Sequence, residues 1–173
     1  AIERMRAVLP QEAKVKTVVS FVLRWNPEFE MIKRMMAEQA IGDIFLAEVD
    51  YWHNIGPWYK QYEWNVKKDI AGSAFLSAGC HAVDAIRWFV GKEITEVTAY
   101  ANQVNKDYEY PTNVLGVAKF EGGAIGKLSA VLDCQCPYAF NIDLLGSKGT
   151  IRDNRIFAKE FFGGATDWSR DAV

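Results

Sequence analysis

Cysteine is scarce in this chain, with three residues in 173. An odd and small number excludes the disulfide lattice of a compact secreted domain, and a reducing cytoplasm is the expected compartment. No apolar run approaches the ~20 residues of a membrane-spanning helix, and no signal-peptide pattern opens the sequence. An excess of one charge sign is missing too: 20 Lys and Arg stand against 22 Asp and Glu, a net −2. The basic residues are scattered, so neither a nucleic acid nor a membrane surface is an expected partner. Internal repeats and low-complexity segments are also missing. Proline is rare, at five, and histidine rarer still, at two.

What is present suits one domain with a well-filled core, since half the residues are hydrophobic and about a quarter charged. Ala1-Ile2-Glu3-Arg4-Met5-Arg6 reads as a helix already under way, and Asp171-Ala172-Val173 carries no capping signal. Residues 1–14 are therefore read as the remnant of a preceding helix or linker, and residues 15–173 as the domain. Lys14–Trp25 is rich in β-branched and aromatic residues and predicts a strand. Asn26-Pro27 opens a helix in which Phe29, Ile32, Met35 and Met36 fall at helical spacing. Asp43–His53 alternates, with Phe45, Ala47, Val49 and Tyr51 on one face of a second strand. Asn54–Asp69, with Trp58, Tyr59, Tyr62 and Trp64, predicts a long irregular segment of the functional or lid type.

Gly72-Ser73 leads into a helix ending at Val90-Gly91, apolar on most sides and so expected to be buried. Strands are predicted near Thr95–Asn102, Thr112–Phe120, Ala124–Val131, Phe140–Leu145 and Thr150–Arg152. Glu121-Gly122-Gly123 and Gly146-Ser147-Lys148-Gly149 supply turns between them. Consecutive strands with tight turns give an α+β fold: an open, mostly antiparallel sheet with helices packed on one face.

The chemistry concentrates around the two histidines, His53 and His81. Ser77, His81 and Asp84 are three and four residues apart, which places them on one face of the buried helix near its start. Free backbone N–H groups there favour oxygen-rich ligands, and imidazole exchanges a proton with a hydroxyl near neutral pH. On spacing alone, a structural histidine bonded to Asp84 or to backbone is the readier explanation of His81. Cys80 beside His81 points about 100° away from it and makes a poor nucleophile pair. Cys134 and Cys136 in Cys134-Gln135-Cys136 would face opposite sides of a strand and read as buried thiols rather than a zinc site, and no other metal-ligand spacing occurs. Gly122–Lys127 lacks phosphate-loop spacing. The aromatics around Tyr51, Trp52 and Trp58–Trp64 read as core or interface before they read as a sugar platform.

Gly72, His81, Asp84, Trp88 and Gly91 resemble, in register, the central motif of the glucose–fructose oxidoreductase / inositol dehydrogenase (Gfo/Idh/MocA) family. Arg24-Trp25-Asn26-Pro27 resembles that family's Arg-x-x-Pro. Ile41-Gly42-Asp43-Ile44 resembles its glycine-ended helix, with Ala40 where glycine is common. Leu145–Ile151 resembles its Gly-x-x-Gly-x-(Ile/Leu) strand pair. The resemblance runs from about Val15 to Ile151 and implies the family's C-terminal domain. That domain supplies the substrate site and usually the oligomer interface, as a homodimer or homotetramer through the sheet, beside an N-terminal Rossmann domain that binds NAD or NADP.

The implied activity is hydride transfer to or from a sugar, inositol or related polyol. His81 is then the implied catalytic residue, and His53 and Asn54 are implied to face the sugar. Ser77, Arg24 and Lys67 are candidates to bind substrate oxygens; for the last two, a solvated surface charge is the competing explanation. Two departures stand out. Ser77 occupies the position of the family's catalytic Asp and cannot place a negative charge beside His81. Neither Gly-x-Gly-x-x-Gly nor Glu-Lys-Pro occurs in the sequence, so no metal and no cofactor is expected on this chain, and alone it is expected to show no turnover. A non-catalytic ligand-binding or assembly module on the same fold is the alternative.

Overall fold

A computed structural model describes residues 2–8, 16, 18–164 and 166–170. The boundary placed at residues 14 and 15 and the chain end at 171–173 lie outside the described residues. Helix α1 spans Ile2–Val8. The described part of the Lys14–Trp25 segment is not a strand: residues 16 and 18–21 carry no regular structure, and Val22–Trp25 forms a 3-10 turn. Val18 and Val19 are exposed. β-branched residues favour a strand only where a neighbouring strand offers a ladder, and none lies beside this segment among the described residues.

Helix α2, Pro27–Ala37, starts as the sequence dictates. The Asn26 side chain accepts a hydrogen bond from the Glu28 N–H at 3.0 Å, and Pro27 takes the first helical position. Its buried face carries Phe29 and Ile32. Strand β1, Ile44–Trp52, buries Ala47, Val49 and Tyr51 on one side. Phe45, expected beside them, is exposed because the register shifts between Ile44 and Leu46. The segment expected to be irregular carries two single helical turns, α3 (Tyr62–Asn65) and α4 (Lys68–Ala71).

Phe75–Gly79 forms a π turn that runs straight into α5, Cys80–Val90, which stops at Gly91 in the left-handed conformation (φ 68°). Strands β2 (Ile94–Asn102), β3 (Asn113–Phe120), β4 (Ile125–Val131), β5 (Ala139–Gly146), β6 (Thr150–Arg152), β7 (Arg155–Phe157) and β8 (Ser169–Arg170) complete the sheet.

The eight strands lie in the order β2-β3-β4-β1-β5-β6-β7-β8. Every pairing is antiparallel except that of β1 with β4, which the sequence pattern did not indicate. The α+β architecture with a mostly antiparallel sheet is therefore the observed one. Helices α2 and α5 cover one face. Phe29 meets Phe89 and Phe140 at ring-centroid distances of 5.6 and 5.4 Å. Ile86 packs so closely over Gly126 that a β-carbon there would come within 2.8 Å of it. Among the described residues, the other face has no helix over it. There Lys127 bridges Glu48 (2.8 Å) and Asp50 (3.0 Å), while Tyr100, Leu115, Val117 and Ile125 are exposed.

Candidate functional site

The C-terminal ends of the parallel pair β1 and β4, together with the π turn and the start of α5, gather the side chains that matter. Tyr51 is the last buried residue of β1, and His53 follows the strand end, tied down by its N–H to the Val131 carbonyl (3.0 Å). From the start of α5, the His81 ring stacks on Tyr51, with centroids 6.2 Å apart and planes 28° from parallel. The Tyr51 hydroxyl lies 2.9 Å from Nδ1 of His53. Tyr138, entering β5, sets its ring edge-to-face against both Tyr51 (5.5 Å) and His53 (5.3 Å). Phe21 closes on His81 from the remaining side at 6.3 Å.

His81 Nδ1 is buried and has no hydrogen-bond partner among the described residues. Burial lowers the His81 pKa from its ordinary value, and the nearby Asp84 carboxylate only partly opposes this. Burial lowers His53 likewise. Both imidazoles are therefore neutral at neutral pH, the form that accepts a proton.

The expected alignment of Ser77, His81 and Asp84 does not arise as hydrogen bonding among the three. The five-residue π turn puts Ser77 in a wider coil than the α-helix that follows. Ser77 Oγ lies 3.3 Å from the Tyr110 hydroxyl, which itself donates to the Asn65 carbonyl at 2.6 Å. Asp84 turns to Arg24, accepting from Nε at 2.8 Å and Nη2 at 2.7 Å. His81 therefore bonds to neither. Nor does the helix begin at His81. The helical run opens at the head of the π turn, where Ser73 Oγ accepts from the Leu76 N–H (3.2 Å), so the free N–H groups of that start lie before the imidazole.

The remaining candidates are dispersed. Asn54 is half-buried immediately after His53. Arg24 is held by Asp84 and sits 5.6 Å over the Trp88 ring. Lys67 is exposed in a 2.8 Å pair with Glu109. Tyr110 and Tyr138 were not foreseen. The one signal for them was an aromatic in a proline-containing loop at a strand end, where functional side chains concentrate.

Cys134 and Cys136 lie in the loop between β4 and β5 rather than on a strand, and Cys136 is exposed, so the expectation of buried thiols there is corrected. No helix among the described residues is long and apolar enough to cross a membrane. A cavity of about 400 Å³ opens on the helix-free face, bordered by Asp50, Trp52, Tyr100 and Lys127, away from the histidines.

Residues 29–152 match the model of the GFO/IDH/MocA C-terminal domain. Inositol 2-dehydrogenase from Rubrobacter xylanophilus is 28% identical over 141 residues, which cover 78% of this chain and 37% of that protein. The WlbA dehydrogenase from Bordetella pertussis, solved with NADH and UDP-GlcNAcA, superposes with a TM-score of 0.77 at 25% identity, covering 90% of this chain and 50% of that one. Scyllo-inositol dehydrogenase from Lactobacillus casei, solved with NAD(H) and scyllo-inositol, gives 0.69 at 25% identity, over 87% of this chain and 45% of that one. The chain thus spans well under half the length of the curated relative and about half that of the solved structures. With its sheet order, its helix-covered face and a family match across most of its length, the chain belongs to the GFO/IDH/MocA family, as its C-terminal domain.

Proposed function

We propose that this chain is the substrate-side domain of an NAD(P)-dependent oxidoreductase acting on a sugar, inositol or related polyol in the cytoplasm. The observation that carries this reading is His81, a neutral, half-buried imidazole with a buried, unpartnered Nδ1 inside an aromatic pocket. Such a group takes a proton from a hydroxyl and returns it at neutral pH. His53 and Asn54, beside it, orient the substrate, and Ser77 supplies a further hydroxyl. Tyr51 and Tyr138 offer apolar ring faces and edges of the kind that pack against a sugar ring.

The residues present do not fit a dinucleotide. The one parallel strand pair described, β1 and β4, is not joined by a glycine-rich turn into a helix, and the sequence contains no Gly-x-Gly-x-x-Gly. In this reading NAD or NADP is held by a Rossmann domain of the full protein, and this chain's part is to bind and orient the polyol and exchange its proton. The chain alone is expected to turn nothing over. The exposed apolar residues of the helix-free face support pairing of two or four copies through the sheet.

The test uses the parent protein with its dinucleotide domain, following nicotinamide absorbance against a panel of sugars and polyols. His81→Ala is expected to lower kcat about 10²–10⁴-fold. Unchanged turnover in that variant would remove His81 from the chemistry. One observation favours a second reading, a non-catalytic binding or assembly module. Ser77 stands where the family has Asp and is already engaged with Tyr110. If neither the parent nor its Ser77→Asp variant turns over any substrate, that module is the better description.

A further inference from the structure

The two histidines share the ring of Tyr51, yet the structure treats them differently. Tyr51 is only 7% exposed. Its hydroxyl has Nδ1 of His53 as its hydrogen-bond partner, whereas Nδ1 of His81 has none. A phenol carries one proton to donate, and burial raises the Tyr51 pKa far above its ordinary 10, so the hydroxyl stays protonated at neutral pH. His53 is neutral there, with one ring nitrogen donating and the other accepting. If Nδ1 carried the proton, the Tyr51 proton would be left in the pocket without an acceptor among the described residues. Satisfying both groups requires the phenol to donate and Nδ1 to accept.

We propose that Tyr51 is a positioning residue that locks His53 as its Nε2–H tautomer, making His53 a fixed donor to a substrate oxygen while His81 exchanges the proton. The donor role rests on the polyol reading above. The tautomer lock does not. The acceptor this chemistry recognises is a hydroxyl or carbonyl oxygen, and a ligand that offers only an N–H donor there is rejected because two donors then face each other. The same phenol fixes the tilt of the His53 ring, whose plane stands 62° from that of Tyr51.

Because the chain holds only two histidines, ¹⁵N-histidine labelling resolves each ring, with His81→Asn assigning the pair. The expected result is an unprotonated, pyridine-like Nδ1 and a protonated, pyrrole-like Nε2 on His53. Tyr51→Phe keeps the ring and its packing but removes the donor, and it should move the two His53 nitrogens toward averaged shifts at unchanged circular dichroism. A protonated Nδ1 in the wild type, or an identical pattern in Tyr51→Phe, overturns the lock.

In the full parent, Tyr51→Phe is expected to raise KM about five- to tenfold, the effect of one neutral hydrogen bond, with kcat nearly unchanged. A loss confined to kcat overturns the positioning role. No turnover in either the parent or its Ser77→Asp variant would refute the dehydrogenase reading, while the labelled spectra still decide the tautomer.

Discussion

Arg24 grips Asp84 through a two-pronged ion pair that joins the 3-10 turn before α2 to the middle of α5, sixty residues away. The pair is one-sided in its surroundings: the Arg24 side chain is 44% exposed and the Asp84 side chain 9%. Arg24→Ala would leave a buried carboxylate without its fork. It is expected to cost about 1–2 kcal/mol, the lower part of the range for charged hydrogen bonds because water screens the guanidinium side. Arg24→Lys should recover little, since one ammonium cannot reproduce both contacts. Urea unfolding of the three proteins decides this, and equal midpoints would show the pair to be inert. Asp84→Asn has a second expected effect. With the carboxylate that opposes burial removed, the His81 pKa moves further down, which an NMR titration of the imidazole reads.

Acid should loosen the fold through both histidines. His53 and His81 lie below their ordinary 6.5 in the folded chain, both through burial. As pH falls through about 6.5 the unfolded chain takes up protons first, so stability is full above that value and declines below it. Thermal melts between pH 7.5 and 5.5 should show Tm falling, and His53→Gln with His81→Gln should flatten the slope. A Tm that rises on acidification in this range would contradict the assignment. Glu28 and Asp143, whose pKa values burial raises, act with the opposite sign, from their own lower carboxylate range upward.

Gly79 is a packing requirement of the π turn. A β-carbon there would stand 2.6 Å from Ala130 Cβ and 2.8 Å from the Phe75 ring. Gly79→Ala should cost about 1–3 kcal/mol by overpacking and push the start of α5 off the sheet. Gly116→Ala is the control. Its nearest neighbour would be Ala99 Cβ at an ordinary 3.6 Å, so chemical denaturation should find it neutral or slightly stabilising.

Tyr100, 82% exposed, and Leu115, 51% exposed, stand opposite each other in the register of β2 and β3 on the helix-free face. Charged replacements there, Tyr100→Glu and Leu115→Glu, should lower the mass found by sedimentation from a dimer or tetramer to the monomer if copies pair through the sheet. An unchanged assembly would move the contact elsewhere.

Strands β2 to β6 were legible because alternation and the glycine turns at Gly122-Gly123 and Gly146–Gly149 are local signals. The error over the described part of Lys14–Trp25 came from reading β-branched residues without knowing that no ladder among the described residues lay beside them. The parallel pairing of β1 with β4 was illegible because it joins residues as far apart as Asp50 and Ser129, and nothing local specifies which strand docks beside which. His81 and His53 stand out in the sequence as candidates through rarity and motif. The Tyr51 hydroxyl and Tyr110 do not, because their roles depend on partners brought together only by the sheet and the π turn.

The placement of β1 also bears on how the chain acquires its shape. During synthesis Ile44–Trp52 emerges with both edges bare, and its neighbours Ile125–Val131 and Ala139–Gly146 come only much later, close behind one another. The central strand must therefore wait through the whole helical segment and the β2–β3 hairpin before it is paired on either side. Such remote pairing makes for slow folding and for a transiently sticky nascent chain.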